Sequence, residues 1–187
     1  MAEGQPAARA DAYLEELQRE FPGLRIVAKA NDPLSRFLSR LLRVVTLGGK
    51  SQYLTHYTTV MGRTIYTPTS WETRGDAERY VTLRHEAVHL RQSRRLGLVV
   101  MSLLYALPIF PIGLAYGRAR IEWEAYAETL RAIAEVHGLA HARSAAVREH
   151  VIRQFTSAAY GWMWPFPHQV ARWIDDELAR IESGEEG

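Results

Sequence analysis

The 187-residue sequence has no cysteine, and that absence excludes disulfides, thiolate metal sites and cysteine nucleophiles together. Any metal must be held by His, Asp or Glu. Charge of one sign is also missing: the formal net charge is only +2, with acidic and basic residues interspersed. The chain therefore lacks the basic patch that a nucleic-acid partner would require, and nucleic acid is not an expected partner. There is no low-complexity tract, no internal repeat and no stretch of low hydrophobicity with high charge, so the chain is expected to fold apart from its ends. The opening MAEGQPAARADAYLEEL has no basic segment leading into an apolar one, which removes the signature of a secretory leader and makes a cytoplasmic location the expectation.

What is present is ordinary for a globular protein: 47% hydrophobic and 24% charged residues, enough to bury a core in one domain over 1–187. Two approximate lobes are expected, 1–97 and 98–187. Apolar spacing predicts a first helix from Ala10 to Phe21, stopped by Pro22-Gly23, then a short strand from Leu24 to Lys29. Asp32-Pro33 opens a second helix to about Val45. Tyr53–Val60 and Arg63–Thr67, flanking Met61-Gly62, read as a hairpin because β-branched and aromatic residues dominate both runs. A long helix is predicted from Asp76 to Leu96 with Gly97 as its stop. Three more follow, over about Tyr116–Val136, Ser144–Ala159 and His168–Ile181. An aromatic, proline-rich link (Tyr160–Pro167) joins the last two. The fold class is α+β: a small sheet, a long central helix and a mainly helical C-terminal part.

Chemistry concentrates in Arg84-His85-Glu86-Ala87-Val88-His89-Leu90. Four residues apart on a helix, His85 and His89 project from the same face and can share one tetrahedral ion. In this H-E-x-x-H spacing Glu86 stays off the metal and serves as the base that takes a proton from metal-bound water. The competing reading is a surface pair of histidines.

A catalytic zinc usually has three protein ligands and an open position. No His lies six residues beyond His89, so the third ligand is sought among Glu122, Glu124 and Glu128. Helical phase separates them. With Glu122 at 0°, Tyr126, Leu130, Ile133 and Trp123 fall within about 100° on the apolar side, whereas Glu124, Glu128, Arg131 and Glu135 share a charged stripe that reads as solvent-facing. A carboxylate on an apolar face is costly unless paired or metal-bound, so Glu122 is the expected third ligand and Glu124 the second choice.

His85-Glu86-Ala-Val-His89 followed by a glutamate on a later helix resembles the gluzincin metallopeptidases. Several gluzincin families, among them the CAAX prenyl protease and heat-shock membrane protease type, carry E-x-x-A-D on that second helix. Glu122-Trp-Glu-Ala125-Tyr126 keeps the glutamate and alanine and replaces the aspartate with tyrosine, so the support such an aspartate gives a ligand histidine is not carried over. The alternative register, from Glu124 to Ala127-Glu128, keeps an acid at the last position. The resemblance spans about forty residues and implies a zincin-like fold, zinc as cofactor, peptide or protein substrates and hydrolysis of the peptide bond.

Between the two motifs, residues 96–117 carry no charged side chain over a length close to a bilayer span. A single crossing would place His89 and Glu122 on opposite sides of the membrane and forbid a shared ion. Pro108 and Pro111 break the run as well, so a buried hydrophobic hairpin is expected, with peripheral membrane contact the alternative. Candidates for stabilising an oxyanion are His56, His137, His141, His150, His168, Tyr126 and Tyr160; each has an equally ordinary structural reading. Trp162 and Trp164 could line a pocket or form a packing plug. Two rivals come from other classes: a zincin-like module whose zinc serves partner binding, and a membrane-associated scaffold.

Overall fold

The computed structural model describes residues 9–29, 58–97, 100–101, 113–157 and 163–185. The predicted helix over residues 32–45, most of the first hairpin strand, the bulk of the apolar run 96–117 and the start of the aromatic link lie outside them. The chain divides into two compact units, Met1–Leu90 and Arg91–Gly187.

In the first unit, α1 (Arg9–Glu20) places Ala10 and Leu17 in the interior. Its first amides have no partner within the helix. The Asp76 carboxylate accepts from both, at 2.9 Å from Arg9 N and 3.1 Å from Ala10 N. Gly23, at φ 84°, makes the reversal after Pro22. The chain then enters β1 (Arg25–Ala28), which pairs in parallel with β3 (Thr64–Thr67). On the other side of β3 lies the antiparallel β2 (Thr59–Met61), giving a three-stranded mixed sheet in the order β1-β3-β2. Ile65 on the central strand is fully buried. Met61 is still in the ladder, opposite Thr64, so the turn falls on Gly62 and Arg63 rather than on Met61-Gly62. Gly62, at φ 59°, supplies the left-handed conformation that a hairpin reversal favours.

After a single 3₁₀ turn at Trp71–Thr73, α2 runs from Asp76 to Leu96, the predicted bounds. Both ends follow from local chemistry. Asp76 and Glu78 sit in the first turn and Arg94 and Arg95 in the last, each sign where the helix dipole favours it. Gly97, at φ 80°, adopts the left-handed stop. Tyr80, Leu83, Ala87 and Leu90 form its buried stripe at spacings of three and four.

The second unit is helical: α3 (Gly113–His137), α4 (Leu139–Ala142), α5 (Ala145–Thr156) and α6 (Pro167–Ser183). Trp123, Tyr126 and Leu130 of α3, Phe155 of α5, and Val170, Ile174 and Leu178 of α6 share one core. Trp164 belongs to it as a packing residue. Its backbone amide donates to Phe155 O at 2.9 Å and its indole N–H to Gln169 Oε1 at 2.9 Å. Among the described residues no helix is long and apolar enough to cross a membrane.

One expectation needs correction. The charged stripe of α3 is not simply a solvated face, because α6 presents the buried Glu177 to it: Arg131 Nη2 lies 2.7 Å from Glu177 Oε1, while Arg131 Nη1 pairs with Glu128 at 3.4 Å. Arg180 adds a second cation to Glu177 at 3.2 Å. Glutamate on a helix face that packs against another helix can stay charged only with such partners.

Candidate metal centre

His85 and His89 lie one turn apart on the same face of α2, with ring centroids 5.0 Å apart and planes at 77°. His85 is half-buried and His89 buried. Glu122 of α3 joins them: one ligand atom from each of the three lies within 4.8 Å of the others. The group could hold a metal ion.

The donor set suits a borderline-soft divalent ion. Two imidazoles and one carboxylate are a familiar three-ligand complement for zinc, and three protein ligands leave a position for water. Glu122 is only 5% exposed, where an ionised carboxylate is expensive without a compensating charge. The burial pattern of α3 agrees with the phase argument: Glu122 shares the buried surface with Trp123, Tyr126 and Leu130, and Glu124 is partly exposed.

Glu124 has a different task. Its Oε2 accepts from Gln92 Nε2 at 2.8 Å and lies 3.5 Å from Arg95 Nη2. The same Gln92 nitrogen donates to the backbone carbonyl of Ile121 at 3.0 Å. Gln92 is buried and sits three residues beyond His89 on α2; Ile121 immediately precedes Glu122. One amide group thus ties the helix of the two histidines to the backbone beside the third candidate ligand.

Glu86, the residue between the histidines that sequence spacing singles out as a base, is 5% exposed. Its charge acts on Lys29, a residue the sequence reading took only as the end of a strand. Lys29 has no exposed surface, and its Nζ donates to Thr59 Oγ1 at 2.8 Å. Burial pushes its pKa down from 10.5 to about 8, with the Glu86 carboxylate pulling the other way. A lysine closing the run Leu24–Ala28, which already carries Arg25, was the available signal; nothing in the run says that the residue turns inward.

The other sequence candidates are placed elsewhere. His137 and His141 lie beside each other with ring centroids 5.1 Å apart and planes tilted by 50°, and both are exposed, as are His150 and His168. Tyr126 packs against Phe155 at 5.4 Å within the helical core. His56, Tyr160 and Trp162 lie outside the described residues.

No family model, no curated protein and no solved structure matches the chain. The case for function therefore rests on the residues themselves.

Proposed function

We propose that the protein is a zinc-dependent peptide hydrolase of the gluzincin kind, with His85, His89 and Glu122 as ligands and Glu86 as the general base. The observation that carries the reading is the convergence of the three donors within 4.8 Å, with a buried glutamate directly after the first of them. A site that only held a metal for structural reasons would have no use for a buried carboxylate at that position.

When bound, zinc would acidify a water molecule and polarise the scissile carbonyl. The remaining work belongs to the chain. Glu86 accepts the proton from the attacking water and delivers it to the departing amine, a shuttle that requires an ionised carboxylate at the start of each turnover. Burial of Glu86 and His89 keeps competing water from the proton path. Gln92 holds Ile121, and with it the start of the Glu122 turn, against α2. Substrates on this reading are peptides or proteins.

The test combines metal content with cleavage. Wild type and Glu124→Ala are expected to bind one zinc per chain, Glu122→Ala to bind zinc at least about 100-fold more weakly, and Glu86→Ala to keep zinc while losing about 100-fold or more of casein cleavage. Zinc binding by the wild type with no cleavage of casein or peptide libraries would refute the hydrolase and leave a zinc-binding module. Full zinc in Glu122→Ala would overturn the ligand assignment.

A further inference from the structure

The near-neutral balance of the whole chain hides one uneven stretch. Residues 91–120 carry five arginines, Arg91, Arg94, Arg95, Arg118 and Arg120, and no acid, while the rest of the chain sets the other 18 of the 23 basic residues against all 21 acidic ones. The cations stand in two groups on either side of the uncharged residues 96–117. One group lies in the last turns of α2 and the other near the start of α3, and both fall within the second compact unit.

Exposed apolar side chains gather at the same place. Among the described residues the large hydrophobic side chains left exposed are Met61, Val100, Tyr116 and Phe166, and two of these four, Val100 and Tyr116, belong to the uncharged run. Tyr116 is 42% exposed and Phe166 54%. Each packs against Trp164 with ring centroids 5.2 Å apart. Trp164 is itself buried and stacks on Trp173 at 6.4 Å, so the two exposed rings stand on a fixed aromatic base. Arg120, four residues after Tyr116, is exposed on the same face of α3. The next position of that stripe is Glu124, which Gln92 and Arg95 already engage.

A single exposed ring needs no explanation. Rings grouped with cations are what a lipid headgroup region accepts: aromatic side chains seat at the boundary between headgroups and acyl chains, and arginines are drawn to anionic lipid. A symmetric contact with a second copy would set these cations against themselves, which like-charge repulsion opposes. Contact with one surface, rather than a crossing, follows from the convergence of His89 and Glu122 from the two sides of the run.

We propose that the face formed by Tyr116, Phe166 and Arg120, with Arg95 one turn further along α3, docks the protein on an anionic phospholipid bilayer. The two rings enter the headgroup boundary and the guanidinium groups meet lipid phosphates. This goes beyond the hydrolase reading and does not depend on it.

The experiment is vesicle flotation of the full chain, with phosphatidylcholine alone and with phosphatidylcholine containing about 30% phosphatidylglycerol, at low and high salt. Partition into the anionic vesicles is expected to exceed that into the neutral ones by about tenfold or more, and to fall as salt rises. Tyr116→Gln combined with Phe166→Ser should lower it by about tenfold or more. Phe166 is the residue that caps α6 before Pro167, and serine is a favoured cap, so an unchanged melting temperature is expected alongside the loss. Arg120→Gln should cost about fivefold and flatten the salt dependence. Glu86→Ala should bind vesicles as the wild type does, which keeps this test apart from that of the hydrolase.

Equal partition into both vesicles, no partition into either, or binding that survives the double variant would overturn the proposal. A dimer in sedimentation that the double variant dissociates, with vesicles left unbound, would instead assign the patch to a contact between two copies. If the double variant melts early, Arg120→Gln decides, because its side chain is exposed.

Discussion

Burying Lys29 has a thermodynamic signature that can be measured without substrate or metal. The group titrates at about 8 in the folded protein, against an ordinary 10.5. Between those values the unfolded chain binds the proton more fully than the folded one, so the free energy of unfolding rises with pH across that window. Below about pH 8 the full cost of the buried ammonium is present; above about 10.5 both states are neutral and it is gone. At 1.36 kcal/mol per factor of ten, the change across the window is about 3 kcal/mol. Burial is the larger cause of the depression, and the Glu86 carboxylate opposes it, so the cost would be higher still if Glu86 were neutral. Urea denaturation in chelator at pH 7, 8, 9, 10 and 11, on wild type and Lys29→Met, isolates the effect, because tyrosines and other groups titrate alike in both. The wild type should gain about 3 kcal/mol relative to the variant, most steeply between pH 8 and 10.5. A difference that stays flat across the series would show that Lys29 is hydrated and refute its burial.

Two further outcomes test how the helices are held. Glu177→Ala removes the buried anion shared by Arg131 and Arg180, but both arginines reach solvent and Arg131 keeps Glu128, so it should cost about 1–3 kcal/mol in urea denaturation, whereas Asp175→Ala, which removes an exposed pairing with Arg148, should cost under about 1 kcal/mol. Gln92→Leu strips a buried donor from Ile121 O and Glu124, with an expected loss of about 1–3 kcal/mol and weaker zinc binding by titration; unchanged affinity would show that the Glu122 turn does not depend on that clamp.

The sequence exposes α2 fully because both of its ends are punctuated by residues that act locally: Asp76 before the apolar periodicity and Gly97 after it. Phase alone separates Glu122 from Glu124, since α3 buries one stripe and an angle of 100° per residue is a property of any α-helix. Other features depend on distant partners and so leave little local trace. The α3 stripe of Glu128 and Arg131 looks like a solvated face until Glu177 arrives from α6. Lys29 looks like the polar end of a strand until Thr59, thirty residues later, accepts its hydrogen bond. The turn is displaced by one residue for a local reason that composition does not show. Met61 is paired by its register with Thr64, which a propensity-based reading of Met-Gly does not contain.

The two glutamates of Glu122-Trp123-Glu124 show how a candidate ligand and a support can be distinguished when their chemistry is identical. Each is a carboxylate side chain on α3, two residues and about 200° apart. Glu124 is partly exposed, and Gln92 and Arg95 occupy the oxygen the structure assigns to it. Moving it to a metal would break a buried amide hydrogen bond and leave Arg95 without that pairing. Glu122 is buried on the apolar side, where its charge gains most from a cation, and its oxygen already lies within 4.8 Å of the imidazole donors. The clamp and the ligand then cooperate: Gln92 grips Glu124 and the carbonyl of Ile121 on either side of Glu122, and it does so from the helix that carries His85 and His89. Exchanging the two roles would demand a rotation of α3 by about 160°, close to half a turn, which would carry Trp123, Tyr126 and Leu130 out of their core. The packing of the helical unit is therefore what favours Glu122 over Glu124 as the candidate ligand.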